Sequence, residues 1–226
     1  MEIKPTFDHF LIYSQNLESD FKRFKDRFDF PIIYPITNYG VFSSCMFACK
    51  NSILELVNYE NPKIPENYKG STIWFSGFAL KSDLTIDKIL SGLTNSNLKI
   101  SDIIIQNVKD KDGNNIPITK ILMINELFNF FQVFYIQYLN RFLEEKFIET
   151  SKEAKWEILS FEVNENQSDT ISEKLKNAGF SFFKNDIFYD NNKIKFTLKK
   201  SNFDFPIVSS FLLKSNKEIV DLVKFF

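Results

Sequence analysis

Two side chains in this 226-residue chain stand in settings that could do chemistry: the single histidine, His9, and the carboxylate of Glu55. His9 lies in the run Thr6-Phe7-Asp8-His9-Phe10-Leu11-Ile12-Tyr13, whose alternation and strand-forming residues predict a β-strand. Side chains alternate between the faces of a strand, so Phe7, His9, Leu11 and Tyr13 are expected on one face. Glu55 lies in Ile53-Leu54-Glu55-Leu56-Val57, where the same alternation sets it in an apolar row between Ile53 and Val57. A carboxylate in such a row costs several kcal/mol unless it is paired or bound to a metal. A histidine facing it would be a natural partner, either in a hydrogen-bonded pair inside a ligand cavity or as a second metal ligand.

Other chemistries find less support. One histidine excludes a two-histidine, one-carboxylate iron site within a single chain. There is no Gly-x-Ser-x-Gly elbow for a serine nucleophile, and six glycines leave little scope for a phosphate-binding loop. Cys45 or Cys49 could pair with His9 as a nucleophile, but nothing in their spacing demands it. The two cysteines lie four apart on one predicted strand, too far along an extended chain to bridge, and no second pair completes a zinc site. They read as reduced, partly buried thiols. Tyr39, Phe42, Trp74 and Tyr135, with Phe75, are candidates to line a ligand pocket, and each is also an ordinary core residue.

The elements that must position these groups repeat along the chain. After the strand at 6–13, Asn16 caps a helix with Glu18 and Asp20 in its first turn and an apolar stripe of Leu17, Phe21, Phe24 and Phe28. Strands follow near Pro31–Tyr34, Val41–Cys49 and Ser52–Asn58, completing one β-α-β-β-β unit. Pro62, Pro65 and Gly70 punctuate a connector. The pattern restarts with a strand at Thr72–Lys81 and a helix carrying Ile86, Ile89, Leu90 and Leu93, then strands near Asp102–Val108, Ile118–Ile124 and Phe130–Tyr138. Asp112-Gly113 marks a hairpin turn. A third restart begins at Trp156–Val163, with a helix capped by Ser168 and stopped at Gly179. Strands near Phe180–Phe183, Asp186–Asp190, Lys193–Lys199 and Ile207–Leu213 follow, and Glu218–Phe226 reads as a terminal helix. The expected fold is therefore α+β, with β-α-β-β-β modules at about 6–58 and 72–140 forming residues 1–140. A linker helix at 141–155 leads to a third, similar module at 156–226.

Composition bounds the partners. A net charge of −1 without a long basic stretch argues against nucleic acid. No apolar signal region follows Met1, and the most apolar stretch, 123–139, carries Asn125, Glu126, Asn129, Gln132 and Gln137, too polar for a membrane span. A soluble, cytoplasmic protein is expected. The 27 phenylalanines, beside only three arginines, read as the mark of an A- and T-rich genome rather than as an aromatic binding surface. The third module has no internal mate, so its exposed face or edge calls for a cover, and a homodimer is expected.

The pieces Phe7-Asp8-His9-Phe10-Leu11-Ile12, Asn16-Leu17 and Ile53-Leu54-Glu55-Leu56-Val57, with the module repeat, resemble the vicinal oxygen chelate superfamily, in its glyoxalase-like branch. That superfamily includes glyoxalase I, bleomycin-resistance proteins and extradiol dioxygenases. The resemblance implies that two modules curl into an open barrel, with a divalent metal (Zn, Ni, Mn or Fe) held by residues of the first and fourth strand of each. Carried onto this chain it implies His9, Glu55 and Gln137 as ligands, with Ser76 a weak fourth; the third module offers only Leu159 at the first-strand position. Serine and a neutral amide are poor ligands for these metals.

Three readings follow. One is metal-assisted lyase or isomerase chemistry of the glyoxalase type, not extradiol dioxygenation, on a small oxygen-bearing molecule; it lacks a second carboxylate to move a proton. Another is a metal-free, antibiotic-sequestering kind of binding module, needing no cofactor. The last is a structural or assembly protein.

Overall fold

A computed structural model describes residues 2–62, 64, 68–109, 111–125, 127–182, 187–202 and 206–226. In chain order the elements are β1 (Thr6–Ser14), α1 (Leu17–Phe28), β2 (Ile32–Asn38), β3 (Phe42–Ala48), β4 (Ile53–Tyr59), β5 (Ile73–Lys81), α2 (Ile86–Leu93), β6 (Lys99–Ile100), β7 (Ile104–Lys109), β8 (Asn115–Asn125) and β9 (Gln132–Tyr138). After these come α3 (Phe142–Ser151), β10 (Glu157–Glu165), α4 (Ser168–Asn177), β11 (Ile187–Tyr189), β12 (Lys195–Lys200), β13 (Ile207–Lys214) and β14 (Ile219–Asp221). The fold is α+β, built from β-α-β-β-β modules, and the first two form an open, curved sheet. Pro65, Glu126, Phe183 and Asp186, used in the sequence reading, lie outside the described residues.

The first sheet has the order β2-β3-β4-β1-β5-β9-β8-β6, with β7 also on β8. β1 runs parallel to β4 and β5 parallel to β9, while β1 and β5 meet antiparallel at the centre. Each central strand carries a one-residue bulge. Asp8 is the extra residue between Phe7, opposite Leu80, and His9, opposite Ala79; Ser76 is the extra residue between Phe75, opposite Ile12, and Gly77, opposite Leu11. A bulge adds a residue to one strand and breaks strict alternation. Phe7 therefore does not share a face with His9: it joins Phe10 and Ile12 in the main core, while Leu11 packs on the other side with Val57, Ala79, Phe134 and Ile136.

The second sheet has the order β11-β12-β10-β13-β14 and repeats the same centre. β10 is parallel to β12 and antiparallel to β13, with Leu159 and Ser209 as the extra residues in the register. β13 thus stands beside β10 as β5 stands beside β1. The last strand of the third module takes the place of a partner module. The expected terminal helix is instead β14 followed by a short 3-10 turn, Leu222–Phe225, and residues 180–182 are not in a strand.

The backs of the two sheets pack on each other, and phenylalanines fill the gap. Phe7 meets Phe161 at 4.9 Å and Phe188 at 6.0 Å between ring centroids, and Phe10 meets both Phe161 and Phe211 at 4.9 Å. Such edge-to-face pairs add about 0.5–1.5 kcal/mol each beyond burial. The abundance of phenylalanine has a structural use. The packing also covers the apolar face of the third module with the first sheet, and that face is one of the two features for which a second chain is expected. Polar contacts fasten the two layers: the Phe7 N–H donates to Asp190 Oδ2 at 2.9 Å, Asn192 Nδ2 donates to the Phe7 carbonyl, and Trp156 Nε1 donates to the Phe28 carbonyl. Asn51 both donates to the Ile158 carbonyl and accepts from its N–H.

Gly77 marks the tightest point of the central bulges. A Cβ there would lie 2.3 Å from the Gln132 carbonyl oxygen, a backbone atom of β9. Gly77→Ala is expected to cost at least the upper end of the roughly 1–3 kcal/mol of overpacked cores, read by urea unfolding. A loss below about 0.5 kcal/mol, the range of neutral surface changes, would refute this account of the β5–β9 approach.

Candidate functional site

The concave face of the first sheet encloses a cavity of about 670 Å³. That lies within the roughly 300–1,000 Å³ of small-molecule pockets. Its walls are mainly apolar and aromatic, contributed by β1, β2, β3, β4, β7, β8 and β9, with Phe142 and Leu143 of α3 at one side. The expected linker helix therefore does more than link: Leu143 and Phe147 pack on Ile33, Ala48 and Ile53, and the start of the helix helps to wall the cup.

His9 and Glu55 face this cavity, with His9 Nε2 3.3 Å from Glu55 Oε2. Behind them, His9 Nδ1 is hydrogen-bonded to Asp8 Oδ1 at 2.7 Å, and the Tyr138 hydroxyl donates to the same oxygen at 2.6 Å. Lys81 Nζ lies 3.9 Å from the other oxygen of Asp8. The Ser44 hydroxyl supplies a hydrogen bond to Glu55. Asp8, His9, Ser44 and Glu55 are all buried.

The charges of this chain of groups are set by competition. Burial works against the imidazolium of His9, but the bond to Asp8 and the charges of Glu55 and Asp8 outweigh it, and its pKa is raised. Burial would lift Asp8; the bond and charge of His9, the charge of Lys81 and the Tyr138 hydroxyl turn the balance and lower its pKa. Glu55 goes the other way. Burial raises its pKa, and the charge of His9 and the Ser44 bond do not fully compensate. The charged forms of Asp8 and His9 are thus favoured, with His9 set between two carboxyl groups.

The remaining sequence candidates lie elsewhere or at the rim. Tyr39 and Phe42 line the cavity, stacked at 4.9 Å. Trp74 does not line it; it stacks on Tyr13 at 4.3 Å and on Tyr68. Tyr135 points into the core between the sheets and donates to the Ala178 carbonyl. Gln137 also leaves the cup, because strand alternation gives the inner face of β9 to Phe134, Ile136 and Tyr138; its Oε1 accepts from the Ile86 N–H at the start of α2. Ser76 is buried, away from the cavity walls. The bulges explain the misplacement. The two-fold relation of the modules matches Asp8 with Ser76, so the partner of His9 is Gly77; Leu11 lies beside Glu55 as Ala79 lies beside Phe134, so the partner of Glu55 is Phe134. By the same register Ser160, not Leu159, takes the place of His9 in the second sheet, and Thr197 that of Glu55.

No protein-family model and no curated protein matches the sequence. Solved structures do. A hypothetical protein from Staphylococcus aureus aligns with a TM-score of 0.68 at 17% identity, covering 96% of this chain and 93% of that one. A mutant of 4-hydroxymandelate synthase from Streptomyces coelicolor, a vicinal oxygen chelate protein, aligns with a TM-score of 0.63 at 9% identity, covering 93% of this chain and 71% of that one. The chain shares the fold of these two structures, as the resemblance to the vicinal oxygen chelate superfamily implied. At such identities the likeness concerns the fold alone.

A vicinal oxygen chelate fold raises the question of a metal, and the donors present answer it poorly. Of the four module-related inner positions, His9 and Glu55 carry donors, whereas Gly77 has no side chain and Phe134 has a phenyl ring, 5.8 Å from the His9 ring. His9 Nε2 is already against Glu55. Among the described residues no group of three or more His, Cys, Asp or Glu side chains is placed to hold an ion. The residues do not fit the expected metal. Sequence reasoning missed Asp8, Tyr138 and Ser44; Asp8 stood beside His9 in the chain, but only the bulge turns it into a partner.

Because His9 is the single histidine, its titration can be read directly by NMR. Its midpoint is expected above the ordinary value of about 6.5 and to fall in both Asp8→Asn and Glu55→Gln. Its stabilising contribution should be complete below about pH 6.5 and vanish as pH rises through the raised folded-state pKa. That of Asp8 should be present above about pH 3.9 and vanish as pH falls through its lowered value. A wild-type His9 midpoint below about 6.5 would contradict the ion-paired site.

Proposed function

We propose that the chain is a metal-free binding module that takes a small, mainly apolar molecule into the cup and anchors its polar group against His9 and Glu55. The observation that carries this reading is a buried polar pair on the floor of a mainly apolar cavity of about 670 Å³. Apolar walls with a few convergent polar groups are the ordinary composition of a small-molecule site. The oxygen-bearing ligand implied by the superfamily resemblance is compatible with this floor, since a ligand hydroxyl can donate to a lone pair of Glu55 that His9 leaves open. Metal-assisted lyase or isomerase chemistry is the weaker reading, because Phe134 stands where the second carboxylate would be needed. Cys45 and Cys49 are free and buried, and burial pushes both thiols up in pKa, which suits a reducing cytosol. Among the described residues no helix is long and apolar enough to cross a membrane.

The test uses 3-tert-butylphenol, a neutral oxygen-bearing probe. It is expected to raise the melting temperature, with its broadened NMR signals mapping binding to the His9 ring, and to do so equally with and without EDTA. Elemental analysis after incubation with excess Ni, Zn, Mn or Fe is expected to show no stoichiometric metal. Near-stoichiometric metal that disappears in Glu55→Gln would overturn the metal-free reading.

A further inference from the structure

We propose that the ligand taken by this cup carries a positive charge, as an ammonium or quaternary nitrogen on an apolar body. The inference rests on the binding reading above and narrows it to a chemical class.

The walls argue for a cation first by their rings. Tyr34, Tyr39, Phe42, Tyr59, Phe134 and Phe142 all contribute to the cavity. An aromatic ring attracts a cation to its face through its quadrupole, worth about 0.5–1 kcal/mol when exposed and about 2 or more when desolvated. One wall ring already shows this behaviour. The ammonium of Lys146, from α3, lies 4.4 Å from the centroid of Tyr34.

The charges argue in the same direction. No lysine or arginine is among the described residues that line the cavity. The floor presents one carboxyl group, Glu55, and the imidazole that faces it, His9, is shared with a second carboxyl group, Asp8, behind. Lys81 offsets only the rear, since it approaches the far oxygen of Asp8. Glu55 is therefore the group left short of counter-charge inside an apolar wall, and an anionic ligand would bring a further negative charge beside it. A cationic ligand supplies what that carboxylate lacks, while the rings accept its alkyl or aryl surface. A neutral ligand leaves the floor as it stands.

Competition between matched probes tests this. (3-Hydroxyphenyl)trimethylammonium has the shape of 3-tert-butylphenol but bears a positive charge, and 3-tert-butylbenzoate reverses the sign. Measured by calorimetry on the full chain, the ammonium is expected to bind at least tenfold tighter than the phenol, and the benzoate weaker than either. In Glu55→Gln the ratio of ammonium to phenol affinity should fall toward one, whatever the change in absolute affinity. Phe42→Leu, at the edge of the cup and close in volume, gives a second reading if the first variant folds poorly, and should weaken the ammonium more than the phenol. Phenol binding with an ammonium no tighter, or a benzoate tightest, overturns the charge assignment and leaves the binding reading intact. An ammonium preference unchanged in Glu55→Gln or in Phe42→Leu also overturns it, because the named groups would not be its source. Binding of none of the three probes overturns the binding reading itself, and this inference with it.

Discussion

The bulged antiparallel pairing of β1 and β5 is the constraint on which the rest of the structure depends. With strict alternation, Phe7 and His9 would point the same way, and the cup would have a phenyl ring where it has an open floor. The extra residue at Asp8 sends Phe7 back into the core and leaves His9 and Leu11 facing the cavity. The matching irregularity at Ser76 brings Gly77 against β9, where no side chain could fit. Irregular backbone needs outside support, and here the second sheet gives it. Asp190 and Asn192, from the turn before β12, bind the backbone N–H and carbonyl of Phe7 at the bulge.

This gives the phenylalanines their place. Phe7 and Phe10 on one sheet and Phe161, Phe196 and Phe211 on the other form a contiguous aromatic layer, all fully buried. Burying one such side chain contributes about 1.5–3 kcal/mol, so this layer is what joins the sheets back to back. The second sheet repeats the strand pairing and the bulges of the first, but its other face is polar and half-buried: Ser160 and Glu162 stand where His9 and Leu11 stand in the cup. One copy of the arrangement carries the cavity, and the other holds that copy in shape.

The polar floor follows from the same geometry. A lone buried carboxylate or imidazolium would be expelled or neutralised, yet Asp8, His9 and Glu55 persist because each supplies part of the charge or hydrogen bonding the next requires. The compensation is complete at Asp8 and incomplete at Glu55, which is why their pKa values move in opposite directions. That asymmetry faces the cavity with a carboxyl group whose counter-charge is incomplete, set among rings and with no lysine or arginine among the described residues of the lining.

Periodicity and composition determined most of the element types outside the C-terminal segment, the module repeat and the setting of Glu55, because Ile53, Glu55 and Val57 obey the simple alternation of an unbulged strand. The pairing of His9 with Glu55 was legible for the same reason, as two polar groups set in apolar rows. Alternation fails at a bulge; nothing in Phe7-Asp8-His9 marks one locally, and in Phe75-Ser76-Gly77 the one local signal is the glycine inside the strand. The errors at Phe7, Ser76 and Leu159 are therefore one residue each and share one cause. Gln137 and Tyr135 were misplaced because the inner face of β9 is fixed by its register with β5, through Ala79 opposite Phe134, and not by its own composition. Asp8 and Tyr138 lie 130 positions apart in sequence. Only the pairing of β1 and β9 on either side of β5, braced from behind by the second sheet, brings the Tyr138 hydroxyl to the Asp8 oxygen that also holds His9.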